Sequence, residues 1–245
     1  MLVPDSSEAS EYGIRLVSVV THAHEGDSLD VFFYLGNSLN PCGEPQNNDI
    51  AVYTVTPEGK RQNLDMVCRK EDCCTYRITV GKEGIYHLFG ECPGYFSVDG
   101  EGKRFKGSFE DNPEAVSATR CFQYAHTVLQ VGRNPFSAGS ADAMLPPLCI
   151  VPDSWDSLRV GEVFAFTLYF RDFPLPLHEI GISYSVENGR TMSEEYITDG
   201  KGRMLYPINT PGKYFIVIRY NSKENDERLY YDTRYTYSFW FKARA

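Results

Sequence analysis

The residues best suited to chemistry in this chain are its histidines, of which there are only five. Two of them, His22 and His24, are separated by a single residue. On an extended segment, side chains two residues apart point to the same face, so both imidazoles can hold one divalent ion, with Glu25 or Asp27 completing the coordination sphere. Late first-row transition metals suit imidazole ligands. His-x-His is a short motif, and two solvent-exposed imidazoles at a strand end are the alternative interpretation.

Two further histidines lie in the same half of the chain and can extend this site. His87 follows Tyr86 and should point away from the core that Tyr86 enters, because neighbouring residues of a strand face opposite sides. His126 lies in a later strand, so either imidazole can approach the first pair across a sheet face. The alternative is a surface or hydrogen-bonded histidine. The predicted site therefore holds a divalent transition metal through His22, His24, His87 and His126.

The seven cysteines leave three interpretations open. They can be buried free thiols, since cysteine packs as a small hydrophobe. They can form one or two disulfides in an oxidising compartment, with an odd thiol left over. They can also bind metal as thiolates, although Cys68, Cys73 and Cys74 lack the short gap and second pair that zinc sites favour.

None of the other motifs in the sequence indicates catalysis. The segment Lys103-Arg104-Phe105-Lys106 can hold an anion, and an exposed basic loop explains the same residues. Carboxylate pairs such as Glu110-Asp111 and Glu194-Glu195 are typical of solvated loops. The sequence contains no nucleophile elbow, phosphate-binding loop or Rossmann glycine pattern. We therefore predict that the protein is not an enzyme.

The elements that must position these residues occur twice. Residues 15–97 and 148–222 share one pattern: an opening strand, a glycine turn at Gly26 or Gly161, a long aromatic strand, and later a glycine that begins a second aromatic run. Self-similarity of this kind indicates two homologous domains in tandem.

A tyrosine two residues after a glycine occurs at matching places in both copies, as Gly84-Ile85-Tyr86 and Gly212-Lys213-Tyr214. It resembles the tyrosine corner of immunoglobulin-like sandwiches, in which the hydroxyl bonds to upstream backbone. The chain also has 17 Tyr and 15 Phe, and aromatic residues fit sheet surfaces. The sequence thus predicts an all-β protein made of two tandem immunoglobulin-like antiparallel β-sandwich domains.

Turn residues and composition set the predicted domain boundaries. The first sandwich is expected at 13–133, with an inserted Gly-rich loop over 93–111 and a short helix starting at Asn112, where Asn can cap and Pro113 can take the first helical position. A linker with glycine, proline and small residues is expected at 134–147, and the second sandwich at 148–245.

Charge and hydropathy restrict the partners. The net charge of −9 argues against nucleic acid and against anionic membrane surfaces, which both attract basic patches. No apolar run reaches the ~18 residues of a membrane span, so the chain is not expected to be membrane-spanning. The first residues lack the basic and apolar regions of a signal peptide, which leaves a cytosolic protein or one whose leader has been removed.

Many turn and core segments together resemble one known family over nearly the whole chain, from about Leu16 to Phe241. In the second domain these segments are Leu148–Pro152, 158–162, 172–175, 198–203 and 210–214. In the first domain they are 94–96, 115–117 and 124–132. The family is known as domain of unknown function 4198. One departure is that Asn37 follows Gly36 where family members often carry histidine.

The resemblance implies a soluble, exported binding protein like the extracytoplasmic component of a nickel or cobalt uptake system. Such a protein is periplasmic or extracellular, binds the metal through its first domain, and uses its second as a spacer or a docking surface for a membrane transporter component. The alternative hypothesis is a structural or adhesive module that binds protein or carbohydrate. Its motivating features are the 93–111 excursion and the tyrosines near the end of the chain, Tyr230, Tyr231, Tyr235 and Tyr237.

Overall fold

A computed structural model describes residues 14–18, 20–35, 50–69, 73–132, 145–155, 158–185 and 191–245. All regular secondary structure in these residues is β-strand. The first half contains β1 (Ile14–Ser18), β2 (His22–Ala23), β3 (Ser28–Leu35), β4 (Ala51–Val55), β5 (Arg61–Asn63), β6 (Met66–Arg69), β7 (Cys74–Thr79), β8 (Gly84–Val98), β9 (Arg104–Lys106) and β10 (Ser117–Val131). The second half contains β11 (Leu148–Pro152), β12 (Val163–Phe170), β13 (Phe173–Pro174), β14 (Glu179–Ser185), β15 (Thr191–Ile197), β16 (Arg203–Pro207), β17 (Gly212–Ser222) and β18 (Asp232–Ala243).

The strands form three sheets. The first-domain sheet has the order β1-β3-β7-β6, and the second-domain sheet has β11-β12-β13 with β16 also paired to β12. The third, which we call the shared sheet, has the order β15-β14-β17-β18-β10-β8-β4-β5, with β2 on β10 and β9 on β8. Each domain packs its own sheet against its part of the shared sheet, which confirms the prediction of two immunoglobulin-like sandwiches.

The two sandwiches use opposite faces of the shared sheet. Tyr124 belongs to the core of the second domain, whereas the next residue, Ala125, belongs to the core of the first. Because successive side chains of a strand point to opposite faces, the first-domain and second-domain sheets lie on opposite sides of β10.

The domains are joined by direct strand pairing. β10 runs parallel to β18, with Thr119 opposite Asp232 and Thr127 opposite Trp240. The Thr127 hydroxyl donates to the Trp240 carbonyl oxygen at 2.9 Å, and the Ser238 hydroxyl donates to the carbonyl oxygen of Ile14. A tandem repeat does not by itself predict this arrangement.

The turns of the repeat have the same structure in both copies. Gly26 and Gly161 have φ values of 87° and 91°, and their amides donate to Val80 O at 2.7 Å and Ile208 O at 2.9 Å. A left-handed φ favours glycine, which explains the conserved position within the repeat.

Both predicted tyrosine corners are present. The Tyr86 hydroxyl accepts hydrogen bonds from the amides of Gly81 at 3.1 Å and Lys82 at 3.0 Å. The Tyr214 hydroxyl donates to Thr210 O at 2.7 Å. The two corners therefore bond to upstream backbone, as the glycine-tyrosine motif predicts.

The segment after the first repeat differs from the prediction. The Gly-rich stretch is a β-hairpin of β8 and β9 with turns on either side, and the short helix expected from Asn112 is wrong. The Asn112 side chain donates to Lys106 O at 2.9 Å instead of capping a helix, and the amide of Val116 donates to Val98 O at 2.8 Å. The chain from Val116 onwards therefore pairs with β8, where the helix was expected to continue.

Most of the predicted linker, residues 134–144, lies outside the described residues. No helix in the described ranges has the length and apolar character needed to cross a bilayer.

Candidate functional site

The two members of the first predicted pair, His22 and His24, have different charged neighbours. His22 Nδ1 lies 2.5 Å from the Arg244 guanidinium, and burial together with that positive charge lowers the pKa of His22. His24 is exposed, with its Nδ1 3.7 Å from an oxygen of Asp27. A cation bound through Nδ1 of His22 would have to displace a guanidinium group.

The second predicted pair does come together, in the interior. His87 Nδ1 and His126 Nε2 lie 3.1 Å apart, and His126 Nδ1 lies 2.6 Å from the Tyr237 hydroxyl. Each imidazole is only 1% exposed. Burial lowers the pKa of His87 to about 4, and burial with the neighbouring His87 lowers that of His126 further below its ordinary value.

Strand alternation predicted which face His87 occupies but not that this face is buried. His87 does face away from Tyr86, but that face is covered by the edge of Trp155, whose ring centroid lies 4.7 Å away. When the Tyr237 hydroxyl donates to Nδ1 of His126, Nε2–H of neutral His126 donates to Nδ1 of His87. Nε2 of His87 then carries the remaining hydrogen and has no partner among the described residues.

Within the described residues, no group of three or more His, Cys, Asp and Glu side chains is placed to hold a metal ion. The prediction of a metal bound by His22, His24, His87 and His126 stays a prediction, since Cys42 and other potential ligands lie outside those residues.

The tyrosines near the chain end are mostly internal. Tyr230, Tyr235 and Tyr237 are 8%, 3% and 0% exposed, whereas Tyr231 is 54% exposed. Tyr235 and Tyr237 alternate into the second-domain core because they share a face of β18 with Phe239. A structural or adhesive module would need these tyrosines on the surface, and of the four only Tyr231 is exposed.

A different surface combines the features of a binding site. An open cleft of about 430 Å³ lies on the shared sheet where β8, β9 and β10 of the first domain meet β17 and β18 of the second. We call it the basic cleft. It is lined by Tyr95, Phe96, Arg104, Phe105, Lys106, Cys121, Gln123, Arg219, Arg234 and Thr236.

Strand register explains why the key side chains of the basic cleft face the same way. Residues directly opposite one another in a ladder point to one face. One row of such positions runs Arg219, Thr236, Gln123 across β17, β18 and β10. The next row contains Arg234 and Cys121. The face is that of Ala125, on which the first-domain sheet packs farther along β10.

Four cations line the basic cleft, although the whole chain carries a net charge of −9. Arg104 and Arg234 lie over the ring of Phe96, at 5.5 and 5.4 Å from its centroid. Arg219 is half-buried, and its guanidinium forms no hydrogen bond or ion pair with any described residue. Burial and the neighbouring Arg234 both lower the pKa of Arg219, which is the mark of an uncompensated positive charge.

The remaining polar groups of the basic cleft are neutral. The side-chain oxygen of Gln123 is buried without a hydrogen-bond partner among the described residues. Burial raises the pKa of the Cys121 thiol to about 12, so it stays protonated near neutral pH despite the nearby arginines. The described lining contains no Asp or Glu, and Asp232, two residues before Arg234 on β18, is close enough to Cys121 to help raise its pKa.

Sequence reasoning found only half of this site. Arg104 and Lys106 belong to the basic segment that the sequence already marked as suited to an anion. Arg219 and Arg234 were missed because each is a lone arginine in an aromatic strand. Only the pairing of β18 with β10 brings them to the same cleft.

Comparisons with solved structures show weak similarity. A DUF4785 family protein from Legionella pneumophila is 13% identical, with a TM-score of 0.32 over 84% of this chain and 51% of that chain. A tetra-tandem repeat from the extending region of a large adhesion protein is 9% identical, with a TM-score of 0.25 over 95% of this chain and 49% of that chain. The D0-D1 domain of intimin is 11% identical, with a TM-score of 0.24 over 91% and 96% of the two chains. This chain thus spans about half the length of the first two.

No curated protein matches the chain significantly. A family model does match, over residues 14–222, which cover both sandwiches except for the final strand. The chain therefore belongs to the family described as domain of unknown function 4198 (DUF4198).

Proposed function

We propose that the protein is an exported binding protein that recognises an anionic ligand in the basic cleft and performs no catalysis. The observation that carries this proposal is the half-buried guanidinium of Arg219, which stands beside Arg234 without a carboxylate partner in the described residues. Retaining an uncompensated charge at a partly buried position is unfavourable unless a ligand supplies the opposite charge. Arginine forks suit carboxylate, sulfate and phosphate oxygens.

The absence of catalysis is part of the proposal. The thiol in the basic cleft is not activated, because its raised pKa keeps it protonated. The two buried histidines bond to each other and to Tyr237, so they are not available to a ligand in the basic cleft. Extracytoplasmic location and a membrane partner belong to the proposal through the family likeness alone, and cell fractionation of the native host tests the location.

The binding test is a calorimetric titration with citrate, a compact trianion, at low ionic strength. Arg219→Gln should weaken binding about tenfold or more, since one charge-assisted hydrogen bond contributes roughly 1.5–3 kcal/mol. Arg228→Gln, which removes an exposed arginine of the same domain outside the basic cleft, is the matched control. Equal citrate affinity in the two variants would overturn the proposal.

A second candidate is divalent metal binding in the first domain, with nickel or cobalt as the ion. It is supported by the family likeness and by the two-residue spacing of His22 and His24. Titration of the metal-free protein with nickel and cobalt tests it. Stoichiometric binding should be lost in a His22→Ala, His24→Ala variant and kept in His178→Ala; unchanged binding in the double variant would remove the pair from consideration.

A further inference from the structure

We propose that the ligand of the basic cleft carries at least two anionic groups and bridges the two domains, with one group on the first-domain cations and another on the second-domain cations. This inference rests on the proposed function and adds the ligand class to it. The class is a compact polyanion built on a flat or ring-shaped body, with carboxylate, sulfate or phosphate groups at its edge.

The cations come in two pairs from two domains. Arg104 and Lys106 lie on β9, whose one partner among the described strands is β8 of the first domain. Arg219 and Arg234 lie on β17 and β18 of the second domain. The parallel pairing of β10 with β18 brings the pairs to one cleft. A ligand that contacts both pairs therefore contacts both domains.

One anionic group cannot satisfy both pairs. A carboxylate has two oxygens and accepts one guanidinium fork in the bidentate geometry that makes such contacts strong. Arg104 and Arg234 share the ring of Phe96, and Arg234 also repels Arg219. A second negative group removes repulsion that a single one leaves in place, so affinity should rise steeply with ligand charge.

The lining also indicates the ligand body. Phe96 supplies a ring that lies under two of the cations, Arg104 and Arg234, and such a ring favours a flat or cyclic body. The floor is formed by β10, β17 and β18, whose backbone groups are paired with neighbouring strands, so an extended peptide cannot add to that floor as a strand. Recognition must come from side chains, which suits a small polyanion better than a peptide backbone.

A series of ligands with one ring and increasing charge tests the inference: benzoate, isophthalate and benzene-1,3,5-tricarboxylate, titrated into the full chain at fixed ionic strength. We expect the tricarboxylate to bind at least tenfold more tightly than benzoate. Arg104→Gln in the first domain and Arg234→Gln in the second should each reduce that advantage to about threefold or less. Thermal unfolding without ligand verifies that both variants are folded.

The possible failures are distinguishable. If benzoate and the tricarboxylate bind equally and both depend on Arg219, the proposed function holds and the two-group ligand is wrong. If the tricarboxylate depends on Arg234 but not on Arg104, bridging is wrong. If none of the three binds the wild-type chain, as none would if the ligand were an acidic peptide, this inference fails, and citrate then decides the proposed function separately.

Discussion

His87 and His126 show how a titratable residue can be structural. Their rings are stacked at 5.3 Å between centroids, next to Trp155, and hydrogen bonds join His87 to His126 and His126 to Tyr237. Both pKa values are lowered by burial, so both imidazoles are neutral at pH 7. Protonating either would place a charge in an interior that offers no carboxylate contact to it among the described residues.

The pH dependence of stability follows from these lowered pKa values. The unfolded chain protonates both histidines near pH 6.5, whereas folded His87 does so only near pH 4. The contribution of neutral, buried His87 to the free energy of unfolding is therefore fully present above about pH 6.5 and is lost as pH falls towards 4. His87→Phe should make the fall in unfolding free energy shallower by up to about 1.4 kcal/mol per pH unit, measured by urea denaturation from pH 7 to 4.5.

His24→Ala is the control for this pH series, because His24 is exposed and bonds to nothing buried. Its slope should match that of the wild type. A His87→Phe slope that also matches the wild type would mean that the buried pair does not set the acid sensitivity.

At the scale of elements, each sandwich depends on one glycine that begins the strand of its tyrosine corner. Gly84 and Gly212 have φ values of 136° and 153°, and an added Cβ would lie 2.6 Å from the Pro57 side chain or 2.2 Å from Ser185 O. The repeat preserves glycine there for two reasons at once: a left-handed φ and a close approach to a neighbouring chain segment.

Three glycine substitutions separate these two reasons. Gly212→Ala combines strain and clash and should cost about 3 kcal/mol of unfolding free energy. Gly161→Ala keeps a positive φ but meets no atom within 4 Å, so about 1 kcal/mol is expected. Gly200→Ala meets neither obstacle and should stay within about 0.5 kcal/mol of the wild type. Chemical denaturation measures all three, and an inverted order would contradict the account.

Elements were more predictable from sequence than the contacts between them. The aromatic strands at 28–35 and 163–170, the glycine turns and the tyrosine corners follow from local alternation and turn chemistry, and all are present. The helix at Asn112 failed because its capping signal is local, whereas the competing ladder with β8 is not. Only Arg104 and Lys106 of the basic cleft could be identified from sequence, because the strand register between domains, which adds Arg219 and Arg234, leaves no local signal.

At the scale of the whole molecule, the shared sheet makes two copies into one structure. The β10–β18 ladder, the hydroxyl bonds of Thr127 and Ser238, and the ring of Trp155 over the histidine pair all cross the boundary between the sandwiches. Losing either domain would expose these buried groups of the other.

We therefore expect a single unfolding transition by differential scanning calorimetry, with the calorimetric enthalpy equal to the van't Hoff enthalpy. Gly212→Ala, which acts in the second domain, should lower that one transition as a whole. Two resolved transitions, with only one of them shifted by Gly212→Ala, would show that the sandwiches unfold independently.

The shared sheet also limits how evolution can rearrange this chain. In a string of separate sandwiches, one unit can be lost, copied or exchanged without harm to its neighbours. Here, deletion of the second unit would leave the fifteen-residue β10 without the strand that pairs with residues 119–127, and an uncovered strand edge promotes aggregation. Although the sequence repeats, the strand pairing between the copies makes each one depend on the other.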